Sequence, residues 1–194
     1  VDASVPDKWT SILIEECKKA NIEFFSSPYD FNSVDMLNKH GVAAHKIGSG
    51  AITWIEIIDY IAKSRVPVFI ATGAADILDV KRAMSVLIKE KAKICLMQCN
   101  TNYTGSLENC KYVNLNVIRQ FAITWPNMVL GLSDHTHGHA AVLGAVSIGA
   151  RVGEKHFTDD NERVGPDDKC AQNPQTRSEM GRETRERELD VGDG

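Results

Sequence analysis

The chain has 194 residues, 43% hydrophobic and 25% charged, the balance of a folded globular domain rather than a disordered segment. A net charge of −4 supplies no basic excess for neutralising phosphate backbones, so no nucleic-acid partner is expected. No apolar run approaches the roughly 18 to 20 residues of a membrane span, and the first residues lack the basic and apolar regions of a secretory signal. A cytoplasmic protein without membrane contact is therefore expected. The five cysteines (Cys17, Cys95, Cys99, Cys110 and Cys170) lack the short paired spacing of a zinc or redox motif and read as reduced thiols.

In chain order, residues 22–28 (IEFFSSP) predict a first strand, followed by a helix over 33–40 that Gly41 closes at a left-handed cap. Residues 42–48 predict a second strand. The next helix opens with Thr53 and Glu56 at capping-box spacing and buries Ile57, Ile58 and Ile61. A third strand over 66–72 precedes a helix over 76–89 with Ile77, Val80, Met84, Leu87 and Ile88 on one face. Residues 93–99 form the next strand, with Cys95 and Cys99 on one side of it. A loop over 100–111 and a helix around 114–121 follow. Strands over 128–133 and 150–157 flank a helix over 140–149. Near-alternating Arg and Glu over 178–189 predict a solvated surface helix.

About six strand–helix units imply a parallel sheet covered by helices, either an open doubly wound sheet or a barrel. Polar residues cluster after every strand: Ser26–Ser27, Lys46 and Ser49, Thr72, Gln98 to Tyr103, Ser133 to His139, Glu154 to His156. A barrel gathers all of its strand ends around one mouth, whereas a doubly wound sheet concentrates ligand groups at its switch point. The expected fold is thus an α/β TIM (β/α)8 barrel. It is incomplete, because a full barrel takes about 250 residues. The start at Val1 rather than Met suggests a piece of a longer protein.

Alternation along a strand points Ser133 and His135 to one side and Asp134 to the other. The same arithmetic gives Glu154 and His156 a shared face, so adjacent strands would bring His135 and His156 to one metal ion. Two imidazoles plus water leave the open positions of a catalytic site. His137 and His139 are expected to cap the next helix or bond at the surface. Lys46, on an otherwise apolar strand, is compatible with a Schiff-base nucleophile, an anion clamp or half of an ion pair. Ser49, between Gly48 and Gly50, adds donors for a phosphate or carboxylate. Asp167 reads from composition as a turn residue and Tyr103 as packing or substrate contact.

Phe24-Phe25-Ser26-Ser27-Pro28-Tyr29-Asp30, Lys46-Ile47-Gly48-Ser49-Gly50, Thr72-Gly73, Gln98-Cys99 with Tyr103, Ser133-Asp134-His135-Thr136, Glu154-Lys155-His156-Phe157-Thr158 and Gly165-Pro166-Asp167 occur in that order. Together they resemble the N-acetylneuraminate (sialic acid) synthase family, which includes the legionaminic and pseudaminic acid synthases. The resemblance implies a Mn²⁺- or Mg²⁺-dependent condensation of phosphoenolpyruvate with an N-acetylmannosamine-like sugar. His135 and His156 would hold the metal. Lys46, Ser49, Ser27, Ser133 and Asn102 (with Thr101 as its alternative) would contact phosphoenolpyruvate, which favours the anion-clamp role for Lys46. Glu154, Asp167 and Tyr103 would supply acid/base and sugar-binding groups.

The resemblance also implies parts without counterparts in residues 1–194. These are the first two barrel strands, with a Glu-x-Gly-x-Asn-His and a Lys-Phe-Gln element, and a C-terminal antifreeze-like domain. Ala71 stands where many members have Ser. Open strand edges predict self-association or a longer parent chain, with a homo-oligomer as the assembled form. The alternative classes are a non-catalytic barrel remnant acting as a scaffold and a Schiff-base aldolase using Lys46.

Overall fold

A computed structural model of the chain describes residues 5–103, 106–165 and 167–191. Thr104 and Gly105, in the loop predicted over 100–111, and Pro166, in the last of the motifs above, lie outside the described residues. Five strands, β1 (His45–Ile47), β2 (Val68–Ala71), β3 (Ile94–Cys99), β4 (Val129–Asp134) and β5 (Val152–Lys155), form one sheet in that order. Every neighbouring pair is parallel. Parallel neighbours need a crossover, and α3 (Ile55–Ala62), α4 (Ile77–Lys89), α5 (Asn116–Thr124) and α6 (Ala140–Ser147) supply one each. Two helices, α1 (Asp7–Lys19) and α2 (Phe31–His40), precede β1, and α7 (Pro174–Val191) follows β5.

The two faces of the sheet differ in chemistry. Ile47, Val68, Ile70, Ile94, Leu96, Leu130 and Leu132 point to the helices and pack with Ile57, Ile58, Ile61, Val80, Met84, Leu87, Ile118, Phe121 and Val142. This aliphatic layer is the core, and its burial is the main source of stability. The other face carries Lys46, Phe69, Met97 and Glu154, which line a cavity of about 210 Å³. On that face Lys46 of β1 reaches Glu154 of β5, with Nζ 2.8 Å from Oε2. A flat five-stranded sheet would set β1 and β5 four spacings apart, about 19 Å, beyond the span of one lysine and one glutamate. The sheet is therefore curled, with Lys46 and Glu154 on its concave side. Phe25 stacks on Phe69 across β1, ring centroids 5.0 Å apart, as the same curl requires.

Most predicted elements form, and the departures have local causes. The strand expected over 22–28 is reduced to one parallel bridge, Ser26 to His45, where Lys46 N–H donates to the Ser26 carbonyl at 3.0 Å. It lies at the sheet edge with a partner on one side, and Pro28 has no N–H to extend the ladder. The capping box expected from Thr53 and Glu56 does not form, since Trp54 is the N-cap and makes no side-chain cap. Such a box does start α4, between Asp76 and Asp79. Ile57, Ile58 and Ile61 are buried as expected. Ile77 and Ile88 are exposed rather than on the apolar face. Ile88 sits about 100° around the helix from Leu87, and Ile77 in the first turn borders an open crevice. Gly41 closes α2 with φ +68°, as expected. The Arg/Glu-rich tail is more than a solvated helix. Met180 of α7 is buried in the core, and Glu183 and Arg187 bond His139 and Ser147 of the α6 region.

Candidate active site

The site lies at the C-terminal ends of β3, β4 and β5, where alternation and register combine. Ser133 pairs with Cys99 on one side and Glu154 on the other, so all three share the concave face. His135 and His156 lie two residues further along the chain, on the same side. Their ring centroids are 5.0 Å apart. This is the juxtaposition expected from the spacing.

Each imidazole has a partner on Nδ1. His135 Nδ1 lies 2.7 Å from the Asn100 carbonyl oxygen. A carbonyl only accepts, so Nδ1 carries the proton and Nε2 keeps the lone pair. His156 Nδ1 lies 3.2 Å from Asp167 Oδ2, a carboxylate oxygen that only accepts and so keeps a proton on Nδ1. Burial pushes the His135 pKa below its ordinary value, with the neighbouring His156 adding to the effect and the Asn100 carbonyl and Glu154 opposing it. A neutral imidazole with a free Nε2 is the ligand form for a metal, and a carbonyl or carboxylate on the other nitrogen is the usual support.

Tyr103 covers the pair, its ring centroid 4.3 Å from His135 and 5.7 Å from His156. Burial pushes the Tyr103 hydroxyl pKa up, and the nearby Cys99, Asp167 and Glu154 add to it. The loop that presents Tyr103 is held by Asn109, buried in a 3-10 helix (Leu107–Tyr112). Its amide donates to the carbonyls of Asn102 and His135, and Asn100 donates to it in turn. Asn102 N–H bonds the Asn100 side chain, so this loop is built as a unit around the His135 backbone.

Lys46 and Glu154 form the charged wall. Burial raises the Glu154 pKa, but the Lys46 ammonium (by charge and by hydrogen bond), the Ser133 hydroxyl and His135 outweigh it and hold the carboxyl below its ordinary value. Beneath them, Cys95 is buried on the concave face and its thiol is pushed up to about 12, chiefly by desolvation. It is inert as a nucleophile there.

The fold thus brings together Lys46, Ser133, Glu154, His135, His156, Asp167 and Tyr103. Ser49 is buried close by, its hydroxyl accepting the Gly73 N–H at 2.9 Å, which ties the turn after β1 to the turn after β2. Ser27 lines a crevice with Tyr29, Asp30 and residues of α1. His137 and His139 bond the Lys169 carbonyl and Glu183 at the surface. Cys95 and Cys99 are both buried, as expected.

Sequence reasoning missed Asn100, Asn109, Asp134 and Lys155. Asn100 acts through its main chain, which carries no side-chain signal. Asp134 and Lys155 were visible as polar residues on a face otherwise occupied by Leu130 and Leu132, but only the register pairs them.

A divalent ion fits this donor set. Among the described residues no cluster of three or more His, Cys, Asp or Glu is arranged for a metal. The two imidazoles would leave the remaining positions to oxygen atoms of water or substrate, the pattern of a catalytic centre. No helix among the described residues is long and apolar enough to cross a membrane.

The whole chain, residues 1–194, matches the NeuB family. The N,N'-diacetyllegionaminic acid synthase of Campylobacter jejuni is 38% identical over 185 residues, covering 94% of this chain and 54% of that protein. The crystal structure of the N-acetylneuraminic acid synthetase from Leptospira borgpetersenii superposes with a TM-score of 0.93 at 30% identity, covering 99% of this chain and 66% of that one. The spore coat polysaccharide biosynthesis protein SpsE of Bacillus subtilis gives a TM-score of 0.90 at 32% identity, over 97% and 52%. The chain spans about half the length of the curated relatives it matches.

Proposed function

The chain belongs to the NeuB family, and from that premise we propose that the protein carrying it condenses phosphoenolpyruvate with an N-acetylmannosamine-like 2-acetamido sugar, releasing a sialic-acid-type nonulosonate and phosphate. The observation that carries the proposal is the His135–His156 pair, both Nδ1 atoms engaged by acceptors, beside the Lys46–Glu154 pair. The named relatives are legionaminic, pseudaminic and N-acetylneuraminic acid synthases, which supports this class of product.

In this reading Lys46 binds the carboxylate or phosphate of phosphoenolpyruvate, with Ser133, Ser49, Ser27 and Asn102 as neutral partners. An ammonium held by a carboxylate suits an anion clamp better than a Schiff-base amine. When the substrate anion takes Lys46, Glu154 loses its partner and becomes a proton carrier. The methylene carbon of phosphoenolpyruvate bonds the aldehyde carbon with its enol π pair, which leaves a cationic enol carbon to which water adds. Glu154 takes a proton from that water and passes it to the former aldehyde oxygen, and the hydroxyl left on the enol carbon gives its proton to phosphate as the C–O bond to phosphate breaks and the ketone forms. Asp167 keeps the His156 proton on Nδ1, and Tyr103 forms the wall against which the sugar lies. A divalent ion on His135 and His156 supplies Lewis-acid polarisation of the aldehyde when bound. Two nitrogen donors favour Mn²⁺ over Mg²⁺, which prefers oxygen.

The same reading takes the curled sheet as part of a complete (β/α)8 barrel in a cytoplasmic homo-oligomer. The test is incubation with phosphoenolpyruvate, Mn²⁺ and a panel of acetamido sugars. Phosphate release with a nonulosonate product, lost in His135→Ala and His156→Ala, is expected. Absence of product with every sugar would overturn the proposal.

A further inference from the structure

Behind the two histidines, on the helix-covered side of the sheet, lies an ion pair that the reaction does not touch. Asp134 and Lys155 are register partners on β4 and β5. Lys155 Nζ is 2.8 Å from Asp134 Oδ2, and the side chains are 2% and 1% exposed. Each belongs to a different triplet of the site: Asp134 stands between Ser133 and His135, Lys155 between Glu154 and His156.

Stability alone is a poor account of this pair. Leu130 and Leu132 precede Asp134 on the same face, and an apolar pair of similar volume generally does as well as a buried ion pair. What an apolar pair cannot do is bond the backbone. Asp134 Oδ1 accepts from both the N–H and the hydroxyl of Thr136, at 2.9 and 2.8 Å. Lys155 Nζ donates to the Thr136 carbonyl. The residues immediately before and after His135 are thus both tied to one ammonium, and that ammonium belongs to the residue immediately before His156. The Asn109 amide bonds the His135 carbonyl itself.

We propose that the Asp134–Lys155 pair positions the two imidazoles relative to each other, fixing the turn that carries His135 to the strand end that carries His156. Neither residue meets substrate, so this is a positioning role. The proposal deepens the reading of His135 and His156 as a metal pair and rests on it for its consequence in metal affinity. The positioning itself can be read without metal.

The experiment uses the full protein and the double variant Asp134→Asn/Lys155→Met, because either single change leaves an uncompensated buried charge. In the double variant the asparagine still accepts from Thr136, while the tie from β5 is gone. Imidazole ¹H–¹⁵N spectra of the metal-free protein report the tautomers of His135 and His156, and calorimetry reports Mn²⁺ affinity. Both rings are expected as a single Nδ1–H tautomer in the unaltered protein. In the double variant a mixture is expected at His135, with Mn²⁺ binding weakened about 10- to 100-fold, the usual range for lost outer-shell support. Unchanged tautomers in a cooperatively folded double variant would overturn the proposal. If the unaltered protein binds no Mn²⁺, the metal reading falls and the tautomers alone judge the pair.

Discussion

Two ion pairs leave β5 in opposite directions, and they teach different things. Glu154 points to the concave side and meets Lys46 across the mouth, where its side chain is 43% exposed. Lys155, the next residue, points to the helices and meets Asp134 with almost no exposure. The first pair is wet on one side, so its partners can exchange for a substrate anion at little cost. The second is sealed and bonded to the Thr136 backbone just after β4. Adjacent residues on one strand thus supply an exchangeable charge and a fixed one.

The largest effect should come from halving the sealed pair. Lys155→Met leaves Asp134 buried without its counter-ion and is expected to lower unfolding free energy by about 3–5 kcal/mol, measured by urea denaturation. A loss below about 1 kcal/mol would erase the contrast. Halving the open pair is the counterpart. Lys46→Met should change unfolding by about 1 kcal/mol or less, but weaken phosphoenolpyruvate binding by at least about tenfold, near 1.4 kcal/mol. A calorimetric titration reads that difference directly, and unaltered affinity would remove Lys46 from the anion site.

A third buried polar group sharpens the rule. His45 is fully buried on the covered face, with Nε2 bonded to Asn38 at 2.8 Å and no partner for Nδ1 among the described residues. Burial holds its pKa below the ordinary value. The folded state therefore keeps it neutral, while the unfolded chain takes up a proton below about pH 6.5. Stability should be unaffected by His45 above that pH and should fall as pH drops through it, by on the order of 1 kcal/mol per pH unit at most. Comparing denaturation at pH 7.5 and 5.5 with His45→Gln isolates this share from that of His135. An identical pH response in the two proteins would count against it. The smallest effect is expected at the half-exposed His139–Glu183 contact. There Glu183→Gln should cost about 0.5 kcal/mol, visible as a slight fall in thermal midpoint.

How much of this was legible in the sequence follows from the same geometry. Period-two alternation placed Ser133, His135, Glu154 and His156 on one face, and apolar run lengths located the five strands. Register was not legible, so Asp134 and Lys155 stayed two separate polar residues. Local chemistry misled where tertiary context decides. The Thr53/Glu56 spacing looked like a cap, but the chain enters α3 from a 3-10 turn (Ser49–Ala51) that puts Trp54 at that position. The charged pattern of α7 hid a buried anchor, Met180.

The Asn100 carbonyl carries a last consequence. It decides which nitrogen of His135 holds the proton, and it does so with an atom that every amino acid possesses. Replacing the Asn100 side chain would disturb its bonds to Asn109 but leave that acceptor in place. The instruction to His135 is written in the path of the chain rather than in the identity of a residue, so the loop can change its letters while it keeps its course.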